Sequence, residues 1–131
     1  MNISSDILND INRIIRERDN RYKAQAYLFV LGSLDYTIKE VGQRRHVTGS
    51  ELSHGIKHFA LDQFGPTAGL VLKHWGLKVT RDFGNIVFNL IDIGLMHKTD
   101  TDRVEDFENV FDFSQAFPTR IYFNPKEFNP D

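Results

Sequence analysis

The chain has no cysteine, which excludes disulfides, thiolate nucleophiles and cysteine-ligated zinc together. It has no long apolar run. The longest, Ala26 to Leu31, is far short of the ~18 to 20 residues that cross a bilayer, so no membrane span is expected. It also lacks an excess of positive charge: 16 Lys and Arg stand against 18 Asp and Glu, a formal net charge of -2. A generic polyanion binder carries a basic excess gathered into a patch, so this balance disfavours non-specific nucleic-acid binding. The opening Met-Asn-Ile-Ser-Ser-Asp has no basic stretch leading into an apolar run, so no secretion signal is expected and a cytoplasmic location is the default. Glycine-rich phosphate loops and nucleophile elbows are missing too. No catalytic residue, cofactor or metal is assigned, and the chain is expected not to be an enzyme.

At 131 residues the chain fits one domain large enough to bury a core without crosslinks. The charge is uneven along it. Residues 1–76 hold 10 Lys and Arg against 8 Asp and Glu, while residues 77–131 hold 6 against 10.

Helical spacing of Ile7, Ile11 and Ile14, with Leu8 and Ile15, predicts a first helix over about 5–17, capped by Ser4 or Ser5. The run 22–41, apolar nearly all round between Ala26 and Leu34, predicts a central buried helix stopped by Gly42. Thr48-Gly-Ser-Glu51 has the spacing of a capping box, which starts a third helix that runs to Phe64. Gly65-Pro66 ends that helix and begins a short fourth one closing at Trp75-Gly76. After a brief extended piece at 77–79, Thr80 as cap and Asp82 in the first turn open a fifth helix. Its apolar stripe is Phe83, Ile86, Val87, Leu90 and Ile91, and Gly94 stops it.

The runs 95–99 and 109–113 read as two strands of a hairpin around a polar loop. The expected fold is therefore mainly α with a small β-hairpin: a winged-helix-like core preceded by two N-terminal helices. The domain covers 1–117 and the C-terminal tail 118–131.

A resemblance joins these local signals. The stretches Ala26-Tyr-Leu-Phe-Val30 with Asp35-Tyr36, Arg45-His-Val-Thr-Gly49, Phe64-Gly-Pro66, His74-Trp-Gly76, Asp82-Phe-Gly84, Val87-Phe-Asn-Leu90, Lys98-Thr99, Glu105-Asp-Phe107 and Val110-Phe-Asp-Phe113 resemble the small uncharacterised family described as Verruco-Plancto-restricted, over roughly residues 7–117. The resemblance implies no activity. The tail after Phe117 departs from the family's usual end.

Several constellations bear on chemistry. His54, His58 and Asp62 form a column at helical spacing that could ligate a metal, but they project opposite Leu52, Ile56 and Phe59 and read as a solvated face. Asp82-Phe-Gly84 has the letters of the kinase magnesium motif without its companions, so Phe83 reads as core and Gly84 as a close-packing point. Trp75, Tyr22, Tyr27 and Tyr36 read as core aromatics before stacking platforms. Arg13, Arg16, Arg18, Arg21 and Lys23 are interrupted by Glu17 and Asp19, which favours a salt-bridged surface over a basic patch.

The outward face of the fifth helix, with Asn85 and Asn89, suits adenine edges in a major groove. The hairpin region carries Asp100, Asp102, Glu105, Asp106, Glu108 and Asp112 against Arg103, a sign that repels phosphates. The first functional reading is accordingly a non-catalytic protein-interaction module of unknown process. Its partner is another protein that meets the acidic residues Asp100, Asp102, Glu105 and Asp106, with Phe88, Tyr122 and Phe123 as aromatic anchors, core packing being the competing fate of Phe88. The alternative is a winged-helix DNA-binding transcriptional regulator that uses Lys73, Lys78, Arg81, Arg44 and Arg45 on phosphates and Asn85 with Asn89 on bases. A third reading, a small hydrolase or metal enzyme, requires a cleft that gathers His46, His74 or His97 with a carboxylate.

Overall fold

The computed structural model describes residues 5–43 and 45–118. All regular structure among them is helical: α1 (Ser5–Glu17), α2 (Ala24–Val41), α3 (Gly49–Phe64), α4 (Ala68–His74), α5 (Thr80–Asp92) and the single turn α6 (Phe113–Ala116). Two 3-10 turns, Gly65–Thr67 and Val104–Phe107, complete the set. The expected hairpin is absent, and with it the winged-helix assignment falls: residues 95–99 and 109–113 form no strand. Arg44, Tyr122 and Phe123 lie outside the described residues, as does the tail from 119 onward.

The helix ends follow local chemistry. Thr48 Oγ1 accepts from the Glu51 amide at 3.1 Å, and Glu51 Oε1 accepts from the Thr48 amide at 3.0 Å. Two amides left without intrahelical partners are thereby satisfied. Gly42 closes α2 in the left-handed region at φ 79°, its amide donating to the Ile38 and Lys39 carbonyls. At α5 the cap differs from expectation. Thr80 is the first helical residue and is buried, while Asp82 Oδ2 accepts from the Lys78 and Val79 amides at 2.9 and 3.0 Å.

Helix α2 is the centre of the molecule and packs on α1, α3 and α5. Its crossing with α3 relies on small residues. Ser33 and Thr37 on α2 and Ser53 on α3 are buried, and each donates its hydroxyl to the carbonyl four residues earlier at 2.7 to 2.8 Å. No buried side-chain nitrogen or oxygen among the described residues lacks a partner, which avoids the desolvation cost of such groups. A Cβ on Gly55 would stand 1.7 Å from Thr37 Oγ1, so the two backbones meet at a distance only glycine permits. Ile11, Ile14, Tyr27, Ile56, Leu72, Phe83, Ile86 and Leu90 are almost wholly buried between the helices. No helix among the described residues is long and apolar enough to cross a membrane.

Candidate functional site

The segment after α5 decides the functional surface, because it packs back over α3, α4 and α5 without a β ladder. Its backbone polar groups are met by side chains. Asp102 accepts from the Thr99 amide at 2.8 Å, Asp106 from the Arg103 amide at 2.9 Å, and Asp112 from the amide and hydroxyl of Ser114 at 2.8 and 2.7 Å. Thr80 Oγ1 donates to the Phe107 carbonyl at 2.6 Å and accepts from the Val110 amide at 3.2 Å. Phe107 itself is buried against two glycines, with Cβ positions of Gly84 and Gly49 falling 2.9 and 3.1 Å from its ring.

Beyond Phe107 the chain builds an aromatic wall. The rings of Phe111 and Phe113 stack at 5.7 Å, Phe113 meets Phe117 edge-on at 5.1 Å, and Phe83 of α5 lies 5.5 Å from Phe113. This wall, α4 and the start of α5 enclose an open cleft of about 860 Å³. Its floor is apolar, with Leu77 and the wall phenylalanines, and its rim carries Lys73, Lys78 and Arg81. Arg81 is paired to Glu108. Lys73 and Lys78 are exposed and have no carboxylate partner among the described residues. The other acid of the cleft, Asp112, is engaged by Ser114, whose hydroxyl and amide hold its carboxyl below the usual range. Val79, 56% exposed, and Leu70, 47% exposed, are the two most exposed large apolar side chains described.

A second, smaller cavity of about 390 Å³ lies under residues 95–107, between α2, α3 and the C-terminal half of α5. Here the cleft required by the third sequence reading exists in outline: His46, His97, Asp102 and Asp106 all line it. His46 Nε2 stands 2.9 Å from Asp102 Oδ2. Burial pushes the Asp102 carboxyl up, but the Thr99 amide and His46 outweigh it and hold the group below its ordinary value. His74 is not part of this cavity.

The residues assigned to nucleic acid are placed differently from expectation. Asn85 and Asn89 turn toward the α1–α2 connection: Asn85 Nδ2 donates to Tyr22 Oη at 2.8 Å, and Asn89 Nδ2 to Tyr27 Oη and Asp19 Oδ2, each at 3.0 Å. Tyr22 in turn donates to Asp82 Oδ1 at 2.5 Å. Burial, then the Asp82 carboxylate, push the Tyr22 phenol well above its usual value, so it stays a donor. Arg45 donates to both Glu51 oxygens, at 3.1 and 2.7 Å. Arg18 pairs with Asp92 at 2.8 Å and Arg21 with Asp19 at 2.8 Å.

Of the acids between 100 and 112, Asp102, Asp106, Glu108 and Asp112 have internal partners, and Asp100 and Glu105 remain exposed. Phe88 is half-buried and lines the second cavity. His54, His58 and Asp62 are exposed on α3, with the His54 ring 5.8 Å from Phe111. No group of three or more His, Asp or Glu among the described residues is placed to hold a metal ion.

The basic rim is legible in the sequence as Lys73, Lys78 and Arg81, whereas the aromatic wall of the same cleft is not. Asp112-Phe-Ser114 was the available signal, since Asp two residues before a Ser amide is a helix-start pattern. Comparison with known proteins finds no matching family model, no matching curated protein and no matching solved structure.

Proposed function

We propose that this chain is a non-catalytic protein-interaction module that seats a short segment of another protein in the cleft between α4, the start of α5 and the Phe111–Phe117 wall. The observation that carries the proposal is the pairing of that apolar wall with Lys73 and Lys78, two rim cations without a carboxylate partner among the described residues. A segment with apolar side chains followed by acidic ones matches both halves. Desolvated apolar anchors would supply affinity, and the rim charges would set orientation and association rate. The expected partner is acidic at this contact, because Lys73 and Lys78 have no carboxylate partner among the described residues. This replaces the expectation of a partner that meets Asp100, Asp102, Glu105 and Asp106, of which Asp102 and Asp106 are engaged within the chain. A cytoplasmic setting is part of the proposal. The family resemblance, which implies no activity, adds no competing chemistry.

Selection of peptides from a random display library against the whole chain tests this. Recovered peptides should combine apolar residues with Asp or Glu, and Lys73→Glu with Lys78→Glu should weaken them about tenfold or more, at an unchanged melting temperature. Val79→Glu should act in the same direction. Peptides that bind equally well to the unaltered chain and to both variants would refute the cleft as the docking surface.

A further inference from the structure

We propose that the cavity beneath residues 95–107 is a binding site for a small amphipathic carboxylate, an alkyl or aryl body with one anionic end. The site is separate from the interaction cleft and does not depend on it.

The body of the cavity is apolar, with Ile38 from α2, Leu52 from α3, Val87 and Phe88 from α5, and Met96 and Phe107 from its cover. At about 390 Å³ it lies in the range of cavities that take small ligands, which are mostly apolar with a few placed polar groups. The polar groups of the lining come from residues 45–48 and from 97–106 of the cover. Asp102 and Asp106, the two acids of the lining, are engaged by His46, the Thr99 amide and the Arg103 amide. Arg45 is held by Glu51. Of the lining's lysines and arginines that leaves Lys98 and Arg103, with no carboxylate partner among the described residues and beside His97; Lys98 Nζ makes only a long 3.4 Å bond to the Thr99 carbonyl.

An apolar body beside two such cations is complementary to an apolar molecule with an anionic end. The planar fork of an arginine matches a carboxylate in two parallel hydrogen bonds. The cover is anchored at Phe107, which is buried against Gly49 and Gly84 and whose carbonyl accepts from Thr80.

Titration calorimetry with octanoate, 1-octanol and octylamine, paired with the NMR signal of the Met96 methyl group, tests the proposal. Octanoate should bind saturably at one site, at least about tenfold more tightly than the alcohol or the amine, and should shift Met96. Lys98→Gln with Arg103→Gln should remove that preference, while Lys73→Gln with Lys78→Gln leaves it intact. These are exposed positions, so the melting temperature serves as the control for folding. Equal binding of octanoate and octanol, survival of the preference in Lys98→Gln/Arg103→Gln, or no saturable binding by about 1 mM would each overturn the proposal.

Discussion

Single residues in this chain carry effects that differ by their surroundings more than by their type. Gly55 and Gly42 are both glycines beside α2, yet the first faces Thr37 Oγ1 at 1.7 Å from a would-be Cβ and the second has nothing within 4 Å at φ 79°. Gly55→Ala must push α2 and α3 apart, and a loss of ~3 kcal/mol is expected in urea unfolding, at the upper end for overpacked cores. Gly42→Ala meets only the left-handed backbone penalty of ~1 kcal/mol. Equal losses would show that the helix crossing yields easily. Thr48→Ala should cost ~1 kcal/mol through the capping box.

The same cap has a pH signature. Hydrogen bonds from Arg45, then the Thr48 amide, hold the Glu51 carboxyl at about 2 against an ordinary 4.5, and Arg21 does the same for Asp19, at about 2 against 3.8. Both acids are depressed in the folded chain, so the unfolded chain binds more protons below about 4.5. The stability they supply is complete above that pH and is lost as pH falls toward about 2. Arg45→Gln should flatten this acid loss; denaturation curves taken in steps from pH 6 to about 2 measure it, and an unchanged slope would sink the assignment.

At the scale of elements, the helices were legible because their signals are local. Thr48 with Glu51, Gly42, and the stripe from Phe83 to Leu90 each name a helix end or face without reference to the rest of the fold. The expected hairpin, absent from the fold, shows where that information stops. Phe111 and Phe113 alternate as strand residues do, but short apolar runs do not separate a strand from a packed turn. What decides is the destination of the backbone amides. Here the amides of Leu95, Thr99 and Val110, all in the expected strands, go to the Leu90 carbonyl, Asp102 and Thr80, while Asp106 and Asp112 start helical turns with the amides of Arg103 and Ser114. The rim of the cleft was likewise visible as Lys73, Lys78 and Arg81. Its wall was not, because Phe111 and Phe117 reach α4 only through the tertiary course of the segment. Thr80 is the joint of that course. Thr80→Val keeps the shape and leaves the Phe107 carbonyl and the Val110 amide without their partner, at a cost of ~1 to 3 kcal/mol. Amide exchange should speed up in residues 104–117 and hold steady in α2 and α3. Acceleration spread evenly over all helices would show that the segment is not a separable unit.

For the whole molecule, the distribution of charge argues against duplex DNA more specifically than the net -2 does. Arg18, Arg21, Arg45 and Arg81 are each paired to a carboxylate. Asn85 and Asn89 are bonded to Tyr22, Tyr27 and Asp19, so no base-reading amide faces outward from α5. Phosphate contacts supply essentially all non-specific affinity, and of the described cations assigned to them only Lys73 and Lys78 lack a carboxylate partner, in a cleft that Glu108 and Asp112 also line. Random duplex at ~0.15 M salt should therefore bind no more tightly than ~0.1 mM, the weak end of ordinary non-specific binding. The acids of the 100–112 segment divide into two kinds, which gives the test its resolution. Asp100→Asn and Glu105→Gln remove exposed, unengaged charge and should raise duplex binding slightly, an effect that fades with added salt. Asp102→Ala and Asp106→Ala remove the acceptors of the Thr99 and Arg103 amides and should lower the melting temperature instead. Asn85→Ala and Asn89→Ala should also act on stability, because each releases a tyrosine hydroxyl from its partner. Fluorescence anisotropy with labelled duplex at two salt concentrations, read beside thermal melts, distinguishes the cases. Micromolar, salt-sensitive binding by the unaltered chain that disappears in Asn85→Ala at a constant melting temperature would mean that α5 reads bases after all.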